Sequence, residues 1–187
     1  MLDSVTSYPL YFVQKASPGE GDAFDFAYIY KFYSERTRLY QRLKYIMRVE
    51  AYEDVFAIKF YAARDRKLDN KYNRIVRAHE YRGAMKTFMT CAEVVKLLHQ
   101  KHPSASFIVQ GASSRDFRSG KMENDVLTQR FRIYRQIAYS IIRSDDFVHF
   151  DKEDSSAYLL VNRLGCDDEK AKAEHIKQMF FDRGFGD

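Results

Sequence analysis

Apolar and polar residues alternate with a period of two through three stretches in the first third of the chain, the pattern of half-buried β-strands. In the first, Phe24, Phe26, Tyr28, Tyr30 and Phe32 interleave with Asp25, Ala27, Ile29, Lys31 and Tyr33, so one face is wholly aromatic. The second runs from Leu39 to Val49. It sets Leu39, Leu43, Tyr45, Met47 and Val49 against Tyr40, Arg42, Lys44, Ile46 and Arg48, an outer face rich in cations. A third places Phe56, Ile58, Phe60 and Ala62 against Val55, Ala57, Lys59 and Tyr61. Short connections between them predict an antiparallel meander. Ahead of it, the breaker cluster Ser17-Pro18-Gly19-Glu20-Gly21 cuts off the apolar stretch Leu10 to Val13, so residues 1–22 read as a loosely attached arm or an edge strand. Arg64 to Asn73 is polar, and Arg74 to Ala78 fits a fourth strand.

The period then changes. Met85, Phe88, Met89, Ala92, Val95 and Leu98 recur at spacings of three and four, predicting a helix from about Gly83 to Lys101 that His102-Pro103 stops. Phe107-Ile108-Val109 is a short strand. Asn124 or Asp125 can cap a second helix with the stripe Leu127, Phe131, Tyr134, Ala138 and Ile141. Phe147 to Phe150 and Ala157 to Val161 read as a hairpin around an acidic turn, and Asp167 to Asp182 as a terminal helix with Gly184 near its end. The sum is one α+β domain over residues 1–187: an antiparallel aromatic-rich meander sheet followed by helix, strand, helix, hairpin and helix.

Composition narrows the class. A chain of 187 residues buries about 70% of the surface its unfolded form exposes, so no staple is needed. Cys91 and Cys166 stand far apart without a C-x-x-C partner, which fits a reducing compartment. With no basic leader and no apolar run near the roughly 18 residues of a membrane span, the chain reads as cytoplasmic. The 31 Lys+Arg against 26 Asp+Glu give a net charge of +5, which permits an acidic partner without demanding one. The 14 Tyr and 15 Phe, with no Trp, predict a sheet whose core is filled by rings.

Two constellations carry candidate chemistry. The connection Gly111 to Lys121 offers backbone amides, the hydroxyls of Ser113 and Ser114, and Arg115 close to a helix start, where orphan amides and the helix dipole favour an anion. It lacks the spacing of a P-loop. Arg130 and Arg132 on the following helix, with Tyr134, would extend that site, and Arg132 and Arg135 are spaced to share a surface. The competing explanation is a long solvated loop and the outer face of a helix. On the meander, Tyr40, Arg42, Lys44, Arg48, Lys59 and Tyr61 mix stacking rings with cations, as single-strand nucleic-acid binders do; half-exposed strands carry the same residues for solubility. His79, His99, His102, His149 and His175 show no metal-ligand motif, and neither they nor Ser113 and Ser114 form a nucleophile setting. The expectation is no metal, no cofactor and no catalytic residue.

Several segments resemble a family of uncharacterised small bacterial α+β proteins: Gly83-Ala84-Met85-Lys86-Thr87, Val94 to Leu98, His102-Pro103, Phe107 to Arg115 and Arg130-Phe131-Arg132-Ile133-Tyr134. That family joins a Tyr-Asn-bearing strand region, matched here by Lys71-Tyr72-Asn73, to a helix, a strand ending in Gly-Ser and an Arg-x-Arg-Leu-Tyr helix. Asp116 to Gln129 looks like an insertion relative to it. The resemblance implies an architecture and no established activity. A weaker likeness, at the level of the fold, is to the GNAT acetyltransferases, which also run an antiparallel meander into helix, strand, helix and strand; Tyr134 would match their Tyr-bearing fourth helix. Their pyrophosphate loop [QR]-x-x-G-x-[GA] is not intact around Arg82-Gly83-Ala84. The expected function is a non-enzymatic regulatory or binding protein with a phosphate-bearing, nucleic-acid or protein partner; the alternative is a GNAT-like acyl-CoA-dependent N-acyltransferase.

Overall fold

Among the described residues seven strands form one sheet in the order β1-β2-β3-β4-β5-β7-β6. They are β1 Tyr11–Ala16, β2 Phe26–Tyr33, β3 Lys44–Tyr52, β4 Val55–Ala62, β5 Ser106–Gln110, β6 Phe147–Lys152 and β7 Ala157–Asn162; the helices are α1 Tyr81–Lys101, α2 Gln129–Ile141 and α3 Glu169–Phe180. The computed structural model describes residues 6–36, 38, 41–74, 81–113, 122–142 and 144–185. Every pairing is antiparallel except β4 with β5, which α1 joins as a crossover. The α+β architecture expected from the alternating and helical periods is therefore the one observed.

Because side chains alternate along a strand, the two faces of the sheet receive different residues. Tyr28, Tyr30, Phe32, Tyr45, Met47, Val49, Phe56, Ile58 and Phe60 face α1 and α2 and build the larger core with Met85, Phe88, Val95, Leu98, Phe131 and Tyr134. The opposite face packs Ala27, Tyr52, Val55, Ala57, Leu159 and Val161 against Ala173, Ile176 and Met179 of α3. Rings interlock across the first core: Phe32 stacks on Tyr45 at 4.9 Å, and Phe88 meets Tyr134 edge-on at 4.9 Å.

Several elements differ from the sequence expectation, each for a local reason. Phe24 precedes β2 and turns to the α3 side, where the Arg48 guanidinium lies 4.6 Å over its ring. The second strand, β3, starts at Lys44, and Leu39, where the alternation begins, lies outside the described residues; at the start of β3 Ser34 Oγ accepts from the Leu43 amide while the Ser34 amide donates to the Leu43 carbonyl. The cap of α2 is Thr128, whose Oγ1 accepts from the Phe131 amide; Asn124 and Asp125 lie in the preceding turn, and Leu127 stands outside the helix with φ 54°. Asp168 caps α3 by accepting from the amides of Lys170 and Ala171. Past α3 the chain makes a wider turn, Phe181–Phe185, in which Gly184 takes φ 87°. Of residues 1–22, Tyr11–Ala16 form the edge strand β1, and ahead of it the Tyr8 amide donates to Thr90 Oγ1 in α1 while the Tyr8 ring stacks on Phe32; residues 1–5 lie outside the described residues. Of the expected fourth strand at 74–78, residues 75–78 lie outside the described residues.

Candidate functional site

β4 and β5 run side by side for only three residue pairs, Val55 with Ser106, Phe56 with Phe107 and Ala57 with Ile108. Beyond Ala57 and Ile108 no ladder joins them. The segment Tyr72 to Arg74 sits at that divergence and is tied to both sides. Tyr72 meets the Tyr61 ring of β4 edge-on at 5.4 Å, and the Asn73 side-chain amide donates to the Ser113 carbonyl past the end of β5 at 3.4 Å. Arg130, in the first turn of α2, donates from both terminal guanidinium nitrogens to the carbonyls of Tyr72 and Arg74.

The first turn of α2 lies directly against the end of β5. A Cβ on Gly111 would stand 2.5 Å from the Phe131 amide nitrogen, so only glycine allows this approach. Thr128 Oγ1 donates to the Gly111 carbonyl at 2.5 Å, and Ser156 Oγ accepts from the Thr128 amide at 3.0 Å. This packing places Arg130 beside the end of β4.

There a narrow cleft opens, lined by Tyr45, Phe60 and Tyr61, by the cations Arg64, Lys71, Arg74 and Arg130, and by one carboxylate, Asp65. Asp65 is buried and pairs with Arg74 at 3.2 Å and Arg64 at 3.9 Å. Among the described residues the lining sets one carboxylate against four cations, an electropositive balance. Burial pushes the Tyr72 hydroxyl up to about 12, with Glu50 adding to the rise, so it stays protonated as a hydrogen-bond donor. Desolvation draws the Arg130 pKa down from its usual value, yet an arginine there remains charged.

The residues singled out from sequence separate into three groups. Ser113 and Arg130 come together through Asn73, although Ser113 takes part by its carbonyl. Arg132 does not join them. Two residues apart on a helix means about 200° around its axis, so Arg130 faces the protein and Arg132 faces solvent. Arg135, expected beside Arg132, turns instead to Asp151 at 3.4 Å and Glu153 at 2.9 Å, which accounts for two carboxylates of the acidic turn. Tyr134 is buried beneath Phe88 and hydrogen-bonded to the Cys91 thiol, and burial first, then the neighbouring thiol, raises its pKa well above the usual tyrosine value. Ser114 and Arg115 lie outside the described residues.

On the meander, Tyr40 and His79 fall outside the described residues as well. Arg48 and Lys59 both pair with Glu50 at 2.6 Å, while Arg42, Lys44 and Tyr61 share one side of the sheet with them. His99 and His102 pack into the fold: His99 lies 3.3 Å from the Asn162 side-chain amide, and His102 bonds the Tyr28 hydroxyl at 3.1 Å. No group of three or more His, Cys, Asp or Glu among the described residues is placed to hold a metal ion.

Sequence assigns Arg64 and Lys71 to a polar connection and Arg74 to the start of a strand, and none of the three to a site. Their signal was the density of cations between Arg64 and Arg74, where Arg64, Arg66, Lys67, Lys71 and Arg74 outnumber Asp65 and Asp69. Cys91 is fully buried, and burial pushes its thiol up to about 12, whereas Cys166 is partly exposed. A thiol reagent at neutral pH is expected to modify Cys166 in the native protein and Cys91 only on unfolding, because the thiolate is the reactive form. Rapid labelling of both in a native mass-spectrometric time course would contradict this burial.

Comparison with protein-family models, with curated proteins and with solved structures returns no match. Among the described residues no helix is long and apolar enough to cross a membrane.

Proposed function

We propose that this protein is a non-enzymatic binding or regulatory protein that takes a phosphate-bearing ligand in the cleft beside the end of β4. The observation that carries this reading is the convergence of Arg64, Lys71, Arg74 and Arg130, against one carboxylate, Asp65, among the described residues. Arg130 acts as a positioning residue: its guanidinium is occupied by the carbonyls of Tyr72 and Arg74 and so fixes the segment that carries Lys71 and Arg74. Arg64, whose side chain is 61% exposed, and Lys71 are the cations best placed to meet an incoming anion.

A second reading, a GNAT-like acyltransferase, is favoured by the element order and by the cleft beside the strand that leads into α1. Two features weigh against it. Tyr72 to Arg74 occupy the divergence of β4 and β5, and they present carbonyls, not amides, to Arg130. Shared architecture alone assigns no chemistry.

Thermal shift with pyrophosphate, coenzyme A and acetyl-CoA tests both. A ligand at about a hundredfold excess over its Kd stabilises the native state by about 2.7 kcal/mol, which for a chain of this size raises Tm by roughly 5–10 °C. The first reading expects that rise with pyrophosphate and its loss in Arg64→Glu. A response to acetyl-CoA without one to pyrophosphate would favour the second reading, and no response to any of the three would overturn both.

A further inference from the structure

The face of the sheet opposite α1 and α2 is covered by α3 only at its Tyr52–Val55 end. At the other end, register lines up one side chain from each of four strands: Tyr11 pairs with Lys31, Lys31 with Ile46, and Ile46 with Tyr61. Strand spacing of about 4.8 Å makes this row roughly 15 Å wide. Tyr33 and Lys44, also paired, form the next row outward. Each is half-buried or exposed.

Rings and cations alternate across this surface. The Arg42 guanidinium lies 4.5 Å over the Tyr33 ring, and Tyr11 meets Tyr33 edge-on at 6.3 Å. Beyond β4, Lys71 Nζ stands 5.4 Å from the rings of both Tyr61 and Tyr72. The four strands β1 to β4 contain a single carboxylate, Glu50, and it is buried between Arg48 and Lys59. Among the described residues no carboxylate pairs with Lys31, Arg42 or Lys44, so the outer rows keep their positive charge.

From this interleaving we infer that the open half of the sheet binds single-stranded nucleic acid. Rings alone would suit any apolar partner, and cations alone any polyanion. A single strand matches both at once, because its unpaired bases stack on tyrosines while its phosphates meet neighbouring Lys and Arg. A duplex keeps its bases stacked inside and offers only phosphate. The site is distinct from the cleft reading, although Tyr61 and Lys71 border both surfaces.

The test is fluorescence anisotropy of the full chain with labelled single-stranded RNA and DNA of about 12 nucleotides, a length suited to one such sheet surface, and with a duplex of equal length. Saturable binding is expected for the single strands, weakening with salt. Tyr33→Ala should lower affinity about fivefold to a hundredfold by loss of a stacking platform, and Lys44→Ala should reduce the salt slope by about one. Lys96→Ala, on α1 at the opposite face of the sheet and paired with Glu93, should leave single-strand affinity within about twofold. If Tyr33→Ala unfolds by circular dichroism, Tyr33→Leu keeps the bulk without the ring and gives the same comparison. Absence of saturable binding overturns the inference. So does equal affinity for duplex and single strand with the ring variants silent, which would reduce the surface to generic adhesion of a polyanion.

Discussion

Replacing Gly111 by Ala is expected to lower the melting temperature by on the order of 10 °C. The new methyl would lie 2.5 Å from the Phe131 amide nitrogen and 2.7 Å from both Phe131 Cβ and Thr128 Oγ1. Neither partner can step aside. The Phe131 amide donates to Thr128 Oγ1, the same hydroxyl donates to the Gly111 carbonyl, and the Gly111 amide donates to the Ser156 carbonyl at 2.8 Å. Relief therefore requires α2 to move off the end of β5, withdrawing Phe131 from the core. Overpacking of this kind costs about 1–3 kcal/mol and more where backbone is the obstacle; at 2–4 °C per kcal/mol for this size, the upper end gives the stated fall. Gly19→Ala is the control, since its Cβ would meet only the Asp22 carboxylate at an ordinary 3.4 Å. A Gly111→Ala protein melting within about 1 °C of the parent would disprove the close approach.

Glu50→Gln is expected to destabilise the fold by about 2 kcal/mol at neutral pH, with a loss that shrinks in acid. Glu50 is buried, and its two oxygens accept from Arg48 and Lys59 at 2.6 Å and from the Tyr52 hydroxyl at 2.8 Å. Burial by itself would push its pKa up; the Lys59 charge and the three hydrogen bonds outweigh that and hold it below the usual carboxylate range. A depressed folded-state pKa means stabilisation that is complete above the ordinary value of 4.5 and is lost as pH falls through the folded one. The gap between parent and variant should thus be full at pH 7 and narrow below about pH 4.5. Gln keeps the shape but leaves two cations without a counter-charge. Since the Arg48 and Lys59 side chains are 25% and 33% exposed, partial rehydration keeps the cost below that of a wholly buried pair. Urea titrations of both proteins at pH 7 and pH 3.5 check the sign; a pH-independent gap would show that Glu50 contributes no charge interaction.

The meander was legible because each of its strands is buried unequally on its two faces, so Tyr28, Met47 and Ile58 announce themselves by period. Helix periodicity likewise marked α1 and placed Phe131 and Tyr134 inward. Buried Glu50 gave no such signal: its place depends on the register that sets Lys59 of β4 opposite Arg48 and so diagonal to Glu50, a cross-strand fact. Pairing Arg130 with Arg132 as one site overlooked helical geometry, which turns residues two apart to opposite sides. Residues Arg64 to Asn73 read as a polar connection because no period of two or 3.6 marks them, and Arg74 as the start of a strand. Their organisation comes from distant partners, Arg130 and Ser113, that are 56 to 58 and 40 residues away in the chain.

The brief parallel pairing of β4 with β5 has a mechanical consequence. The strands β1 to β4 pair with near neighbours in sequence, whereas β7 reaches β5 only after α2 and β6, and among the described residues Val55 to Ala57 are the rungs that pair β4 with β5. Backbone bonding across this seam is thus sparse, and side chains hold the two parts together: Arg130 and Asn73 at its open end, Phe56 stacked on Phe107 along it, and α3 packed on Ala57 and Val161 at once. Opening this seam therefore exposes core that both parts share, so the sheet is expected to unfold as one cooperative unit and not ribbon by ribbon.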